Sequence, residues 1–197
     1  MELRYEKYRG AAIRTVFEPL AALRIRVFRD FPYLYEGTLD YELEYLNTYA
    51  QAERALLFAV YDGKKMVGAT TCIPLSSETP DVQEPFLKSG YHLEEVFYFG
   101  ESILLQEYRG HGIGHRFFDE REAHAASFGT YRFTCFCAVD RAENHPLRPE
   151  GYRPLDAFWK QRGYQKEPTL VSQFTWPDLG ESEGSTKNMI YWIKPLP

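Results

Sequence analysis

The chain has 197 residues, enough for one compact α/β domain, and 44% of them are apolar, enough for a sizeable core. A formal net charge of −5 argues against broad nucleic-acid binding, which needs a basic footprint to displace counterions. Three cysteines make no disulfide framework, no apolar run approaches membrane-spanning length, and the opening MELRYEKYRG has no apolar leader core. The expectation is a reducing, cytoplasmic setting without membrane or nucleic-acid partners.

In chain order, residues 11–17 read as a first strand. Pro19 suits the opening turn of a helix, and Leu20, Leu23, Val27 and Phe28 then recur at helical spacing. A second helix fits residues 39–54, with Leu39, Leu43 and Leu46 on one stripe. A hairpin follows: strands over 55–61 and 66–73 joined at Asp62-Gly63, where a tight turn wants positive φ. Residues 75–95 are rich in Ser, Pro and acids and read as a long connection with room for one short helix, a candidate lid over the acceptor.

Residues 96–105 form the next strand, then a glycine run, then a helix over 112–128 whose apolar side carries Ile113, Phe117, Ala125 and Phe128. Residues 131–139 alternate, placing Tyr131, Phe133, Cys135, Cys137 and Val139 on one face, the cysteines as small buried residues. A short helix over 155–162 and strands over 169–176 and 188–193 complete the chain. The order β-α-α-β-β-β-α-β-α-β-β describes a mixed α/β (α+β) sheet rather than a doubly wound one, and residues 1–197 read as a single domain.

The chemistry centres on Tyr108-Arg109-Gly110-His111-Gly112-Ile113-Gly114, between a strand and a helix. Glycines let the backbone turn sharply and approach a ligand, and the first N–H groups of a helix have no internal partner, which suits a pyrophosphate. Arg109 adds a charge-assisted donor. A P-loop would need Gly-Lys-Ser/Thr, where this chain has Gly114-His115-Arg116; a dinucleotide fingerprint would need Gly-x-Gly-x-x-Gly, where the glycines here fall at 110, 112 and 114. His111 and His115, four apart, lack the His-Glu-x-x-His order, and no metal is expected.

The run from Leu104 to Gly114 resembles the acetyl-CoA signature of the GNAT superfamily, Arg/Gln-x-x-Gly-x-Gly/Ala, with Arg109, Gly112 and Gly114 at its fixed positions. The resemblance spans nearly the whole chain. It implies a mostly antiparallel twisted sheet of about seven strands flanked by about four helices, with strands 4 and 5 splayed. It implies acetyl-CoA as co-substrate, its pyrophosphate on the main chain of Arg109, Gly110, His111, Gly112, Ile113 and Gly114, and its pantetheine on the backbone of Ile103, Leu104 and Leu105.

Acetyl transfer to an amine needs a base for the ammonium proton and support for the leaving thiolate. Glu101, on the strand expected to carry the acetyl group, is the base candidate; two residues after Phe99, it should share that residue's face. The family often carries a Tyr on the late helix as proton donor, but here Trp159 stands at that position, and an indole N–H is no proton source near neutral pH. Tyr152 is the substitute candidate, and Trp159 is expected against the cofactor or the core. Asp30, Tyr33, Tyr35, Glu36 and Asp40 form an acidic, aromatic stretch suited to a small-molecule amine. The expected function is an N-acetyltransferase acting on a primary amine. A non-catalytic acyl-CoA sensor and an enzyme acting on protein termini or lysines are the other readings, and a homodimer is compatible with all three.

Overall fold

The computed structural model describes residues 2–197. Seven strands form one sheet: β1 (Leu3–Arg9), β2 (Leu56–Asp62), β3 (Lys65–Pro74), β4 (Val96–Leu104), β5 (Phe133–Val139), β6 (Gln165–Trp176) and β7 (Ser185–Pro195). Their spatial order is β1-β2-β3-β4-β5-β7-β6, antiparallel throughout except for the parallel pair β4–β5. Five helices flank it: α1 (Phe17–Phe28), α2 (Leu39–Gln51), α3 (Pro80–Lys88), α4 (Ile113–Ala126) and α5 (Asp156–Gln161). No helix among the described residues is long and apolar enough to cross a membrane.

The first strand differs from the sequence expectation. Residues 3–9 pair with β2 as the sheet edge, their charged side chains reaching solvent, while residues 10–16 coil into a 3₁₀ turn. Gly10, at φ 48°, turns the chain there and donates its N–H to Ala55 at 3.1 Å. The β-branched residues Ile13, Thr15 and Val16 are overruled by tertiary burial, since Ile13 is completely enclosed. The stripe on α2 is also rotated: Leu39 is exposed, and the inward positions are Glu42, Leu46, Tyr49 and Ala50. Tyr131 precedes β5 instead of extending it, and packs edge-on against Phe97 at 4.6 Å, away from the face that buries Cys135 and Cys137.

Segment 75–95 is anchored rather than loose. Pro80 opens α3, where its missing N–H removes nothing, and Phe86 is fully buried edge-on to Tyr191 at 4.8 Å. The Ser172 hydroxyl donates to the Asp81 carbonyl at 2.6 Å. β6 starts four residues earlier than expected; Pro168 is accommodated because β6 is an edge strand whose register shifts between Glu167 and Val171.

Two irregularities of β4 create the site. First, β4 and β5 pair only from Val96–Phe133 to Tyr98–Cys135 and then part, so the later residues of β4 have a ladder partner on β3 alone. Second, the β3–β4 register slips: Thr70 lies opposite Ser102 but Cys72 opposite Phe99, an extra residue on β4 at Gly100–Glu101. Such a bulge interrupts the two-residue alternation. Phe99 therefore faces α4 and Glu101 faces α1, correcting the expectation that they share a face. Side chains replace the lost ladder bonds: the Glu101 N–H donates to Thr71 Oγ1 at 3.3 Å, and its carbonyl accepts from Thr70 Oγ1 at 2.6 Å.

Gly100 is required at the bulge because a Cβ there would stand 2.0 Å from the Tyr49 hydroxyl and 2.6 Å from Thr71 Oγ1. Gly100→Ala is expected to lower stability by about 1–3 kcal/mol through overpacking, read as a Tm several degrees below wild type. An unchanged Tm would show that Tyr49 yields freely.

Candidate active site

The glycine loop has the form of an anion cradle. Gly110 and Gly112 lie at φ 82° and 77°, a region costly for side-chain-bearing residues, and nothing lies within 4 Å of where their Cβ atoms would be. Gly112 is the N-cap of α4 with no side-chain cap, and the N–H groups of residues 110–114 have no protein acceptor among the described residues. Free amides at the positive end of a 14-residue helix attract a phosphate. The Arg109 Nε donates to the Leu104 carbonyl at 3.2 Å, and its Nη2 lies 3.9 Å from Asp30, an exposed pair that a ligand displaces at little cost. His111 is exposed in the loop; the His115 ring packs on Phe158 at 4.8 Å.

Where β4 and β5 part, a cavity of ≈ 370 Å³ opens on the α4–α5 side. Its β4 wall is Phe99, Gly100, Glu101 and Ser102; Ile103 and Leu104 follow on the strand with Leu105 just beyond it, and the side chains of Ile103 and Leu105 point into the core. Trp159 and Tyr152 both line it. Trp159 rests edge-on against Phe136 at 5.0 Å and Trp192 at 5.1 Å. Tyr152 stands edge-on to Phe31 at 4.7 Å, and burial pushes its phenol above the ordinary value.

A second cavity of ≈ 460 Å³ lies on the α1–α2 side, walled by Tyr33, Tyr35, Tyr41, Tyr45, Phe174 and Trp176. Glu101 belongs to both walls. Its carboxylate is buried and ion-paired with Arg24, Oε2 lying 2.6 Å from Nη1. Arg24 Nε also bonds Glu42, which is fully buried. Burial opposes the Arg24 charge, but Glu101, Tyr45 and Glu42 together outweigh it and hold the guanidinium well above its ordinary value. One guanidinium between two carboxylates leaves one net negative charge in the aromatic wall. Of the acidic, aromatic stretch singled out in the sequence, Tyr33 and Tyr35 reach this cavity, while Asp30, Glu36 and Asp40 are solvent-exposed.

Arg24 and Glu42 were overlooked in the sequence, yet each carries a signal. Arg24 sits inside the apolar stripe of α1 one residue after Leu23, and Glu42 sits on the buried stripe of α2 four residues before Leu46. Opposite charges on the inward stripes of consecutive helices indicate a buried pair. Cys137 lines both cavities, but burial pushes its thiol up to about 12, so it is neutral and not a nucleophile.

The α1–α2 loop covers these cavities and is tied down by Arg141. Its guanidinium donates to the Pro32 carbonyl at 2.7 Å and the Tyr33 carbonyl at 2.8 Å, and grips Asp178 through two bonds of 2.7 and 2.8 Å. Lys187 adds a contact to Asp178 at 3.0 Å, and Trp176 donates to Tyr33 at 3.0 Å. Burial alone would raise the Asp178 carboxyl, but Arg141 and Lys187 hold it below the usual carboxylate range. A depressed carboxylate contributes stability above its unfolded value, near about 3.9, and loses it as pH falls through the lower folded value. Asp178→Asn is expected to lose about 3–5 kcal/mol at pH 7, since two cations are left facing an amide. Urea titrations should show the gap to wild type closing below about pH 4; a constant gap would refute the linkage.

A family model described as the acetyltransferase (GNAT) family matches residues 21–149. No curated protein matches the sequence. Among solved structures the chain is similar to an N-acetyltransferase from Staphylococcus aureus (TM-score 0.61, 10% identity, 100% of both chains covered). It is also similar to a GNAT-family acetyltransferase from Streptococcus pneumoniae (TM-score 0.59, 15% identity, 98% of this chain and 99% of that one). A third likeness is to an aminoglycoside 6′-N-acetyltransferase complexed with coenzyme A (TM-score 0.57, 14% identity, 100% of this chain and 98% of that one). At such identities the solved structures speak for the fold alone, and it is the family match across most of the chain, on top of the parted strands and the glycine cradle, that shows this chain to belong to the GNAT acetyltransferases.

Proposed function

We propose that this chain moves an acetyl group from acetyl-CoA to the primary amine of a small molecule, and that Glu101 is the general base. The observation that carries the reading is the position of the Glu101 carboxylate: buried, held by Arg24 at 2.6 Å, and on the wall common to a cavity between the parted strands and a second, aromatic cavity.

The chain's own groups fit acetyl-CoA. Five unpaired amides in residues 110–114 meet the pyrophosphate, Arg109 adds charge, and the edge of β4 freed from β5 presents main-chain groups to pantetheine. When bound, acetyl-CoA supplies an activated acetyl thioester. The aromatic cavity suits a cation with an apolar body, since Tyr and Trp faces attract ammonium and the Arg24 trio carries one net negative charge. Glu101 accepts the ammonium proton. Tyr152 is held in its protonated form by burial and serves as a donor on the other side. Trp159 packs as a wall and holds no transferable proton. That last feature favours the second reading, a non-catalytic acyl-CoA sensor.

Glu101→Gln is expected to lower kcat by about 10²–10⁴-fold, the usual worth of a positioned base, while coenzyme A still raises the Tm of the variant as it does that of the wild type. Thiol release across a panel of small amines provides the rate. Equal turnover by the variant would remove Glu101 from the chemistry; thermal stabilisation by coenzyme A with no turnover on any amine would establish the sensor.

A further inference from the structure

Arg121 is a buried charge on the cavity wall with no part in binding the pyrophosphate or taking the ammonium proton. It lies on α4 in the middle of the inward stripe, four residues after Phe117 and four before Ala125, and is 2% exposed. Its guanidinium sits over the rings of Phe99 at 4.3 Å and Phe118 at 4.6 Å and lines the cavity between the parted strands. Nε donates to the Phe117 carbonyl at 3.2 Å, and Nη1 makes a long contact of 3.5 Å to the Glu101 carbonyl.

No carboxylate neutralises it. The acids around it are Glu101 and Glu122, joined by the Tyr164 phenol and the Cys72 thiol. The Glu101 carboxylate points to the opposite face, to Arg24. Glu122 is engaged by Arg162 at 3.1 Å and Lys194 at 3.2 Å, and accepts the Tyr164 hydroxyl at 3.1 Å. The Cys72 thiol is pushed up to about 12 by burial and is neutral. Burial pushes Arg121 itself down to about 10, so it stays charged at neutral pH. A buried cation without a counter-ion is unfavourable to the fold, and an apolar side chain of similar length would serve packing better. The structure retains the charge at the wall of a cavity with room for a ligand.

We propose that Arg121 supplies the positive charge that stabilises the departing thiolate of coenzyme A before Tyr152 protonates it. This rests on the acetyl-transfer reading above. In the step served, the lone pair of the amine nitrogen forms the new C–N bond to the acetyl carbon. The C–S bond breaks with its electron pair on sulfur, and two protons leave the nitrogen, one from the ammonium before attack and one as the amide forms, each passing through Glu101 to solvent. The products are an N-acetylated amine and a thiolate, which takes its proton from Tyr152, and solvent restores the phenol. Arg121 keeps its proton throughout, as a guanidinium must.

The test measures the thiol of bound coenzyme A by ultraviolet thiolate absorbance against pH, alongside Tm and kcat. With wild-type protein, the bound thiol should titrate below the free one. Arg121→Met should return that titration upward by about one unit or more, a tenfold change in the equilibrium, with a similar or larger loss of kcat. Its Tm should match or exceed that of the wild type, an outcome a merely structural arginine would not give. Arg121→Lys, which keeps the charge, should restore part of the shift. A bound thiol that titrates like free coenzyme A in the wild-type protein overturns the proposal even if Arg121→Met fails to fold, as does an unchanged titration in Arg121→Met. If coenzyme A neither binds nor stabilises the wild-type protein, it is the acetyl-transfer reading that fails.

Discussion

Peptide groups inside a sheet must find partners, and the parting of β4 from β5 after three residue pairs deprives two strands of theirs at once. Everything about the site follows from how those groups are handled. On its β3 side, β4 meets the deficit with hydroxyls, those of Thr70 and Thr71 standing in for ladder bonds at the bulge. On its β5 side the edge past Tyr98 has no ladder partner, and in the proposed function it receives a ligand that itself resembles a strand in its alternating donors and acceptors. The amide-rich pantetheine arm of coenzyme A has that chemistry, and the amides of residues 110–114 stand where the strand gives way to the helix.

The bulge has a second effect, on charge. Turning Glu101 toward α1 places its carboxylate beside Arg24 and its carbonyl within reach of Arg121. One residue thus has a cation on each face of the sheet, one neutralised by two carboxylates and one without a counter-ion. Charges opposed across a thin apolar layer polarise it, and their fields are screened less there than in water. The same layer explains the abundance of rings: aromatic faces tolerate a buried guanidinium that aliphatic side chains would not.

The sequence disclosed the parts of this molecule whose signals are local. The Asp62-Gly63 hairpin, the glycine loop and the helix after it each depend on residues adjacent in the chain, and the structure has them within a residue or two of the expected bounds. What was illegible depends on partners far away. Residues 3–9 alternate too weakly to announce a strand and become one because β2 offers an edge; the β-branched stretch after them is drawn into a turn by the burial of Ile13. The bulge leaves no mark in the sequence beyond Gly100, whose necessity comes from the hydroxyl of Tyr49 on another element. Arg24, Glu42 and Arg121 were visible as charges on apolar stripes, but a periodicity count looks for the apolar members and passes over the exceptions, and the exceptions carry the electrostatics of the site.

The attachment of Arg141 to the 32–33 carbonyls has a mechanical side. The sheet is in effect two half-sheets, β1 to β4 and β5 to β7, hinged where three residue pairs meet. Arg141, Trp176 and the Leu179 to Leu34 hydrogen bond of 2.8 Å all belong to the second half or its hairpin and all fasten onto the α1–α2 loop, which belongs to the first. The halves are therefore joined at both ends of the gap, like tongs bound at hinge and tip. Swinging the arms apart would break these bonds. The strap at residues 141 and 176–179 thus bears on the width of the gap, together with α3, which ties the same halves through Asp81 and Phe86.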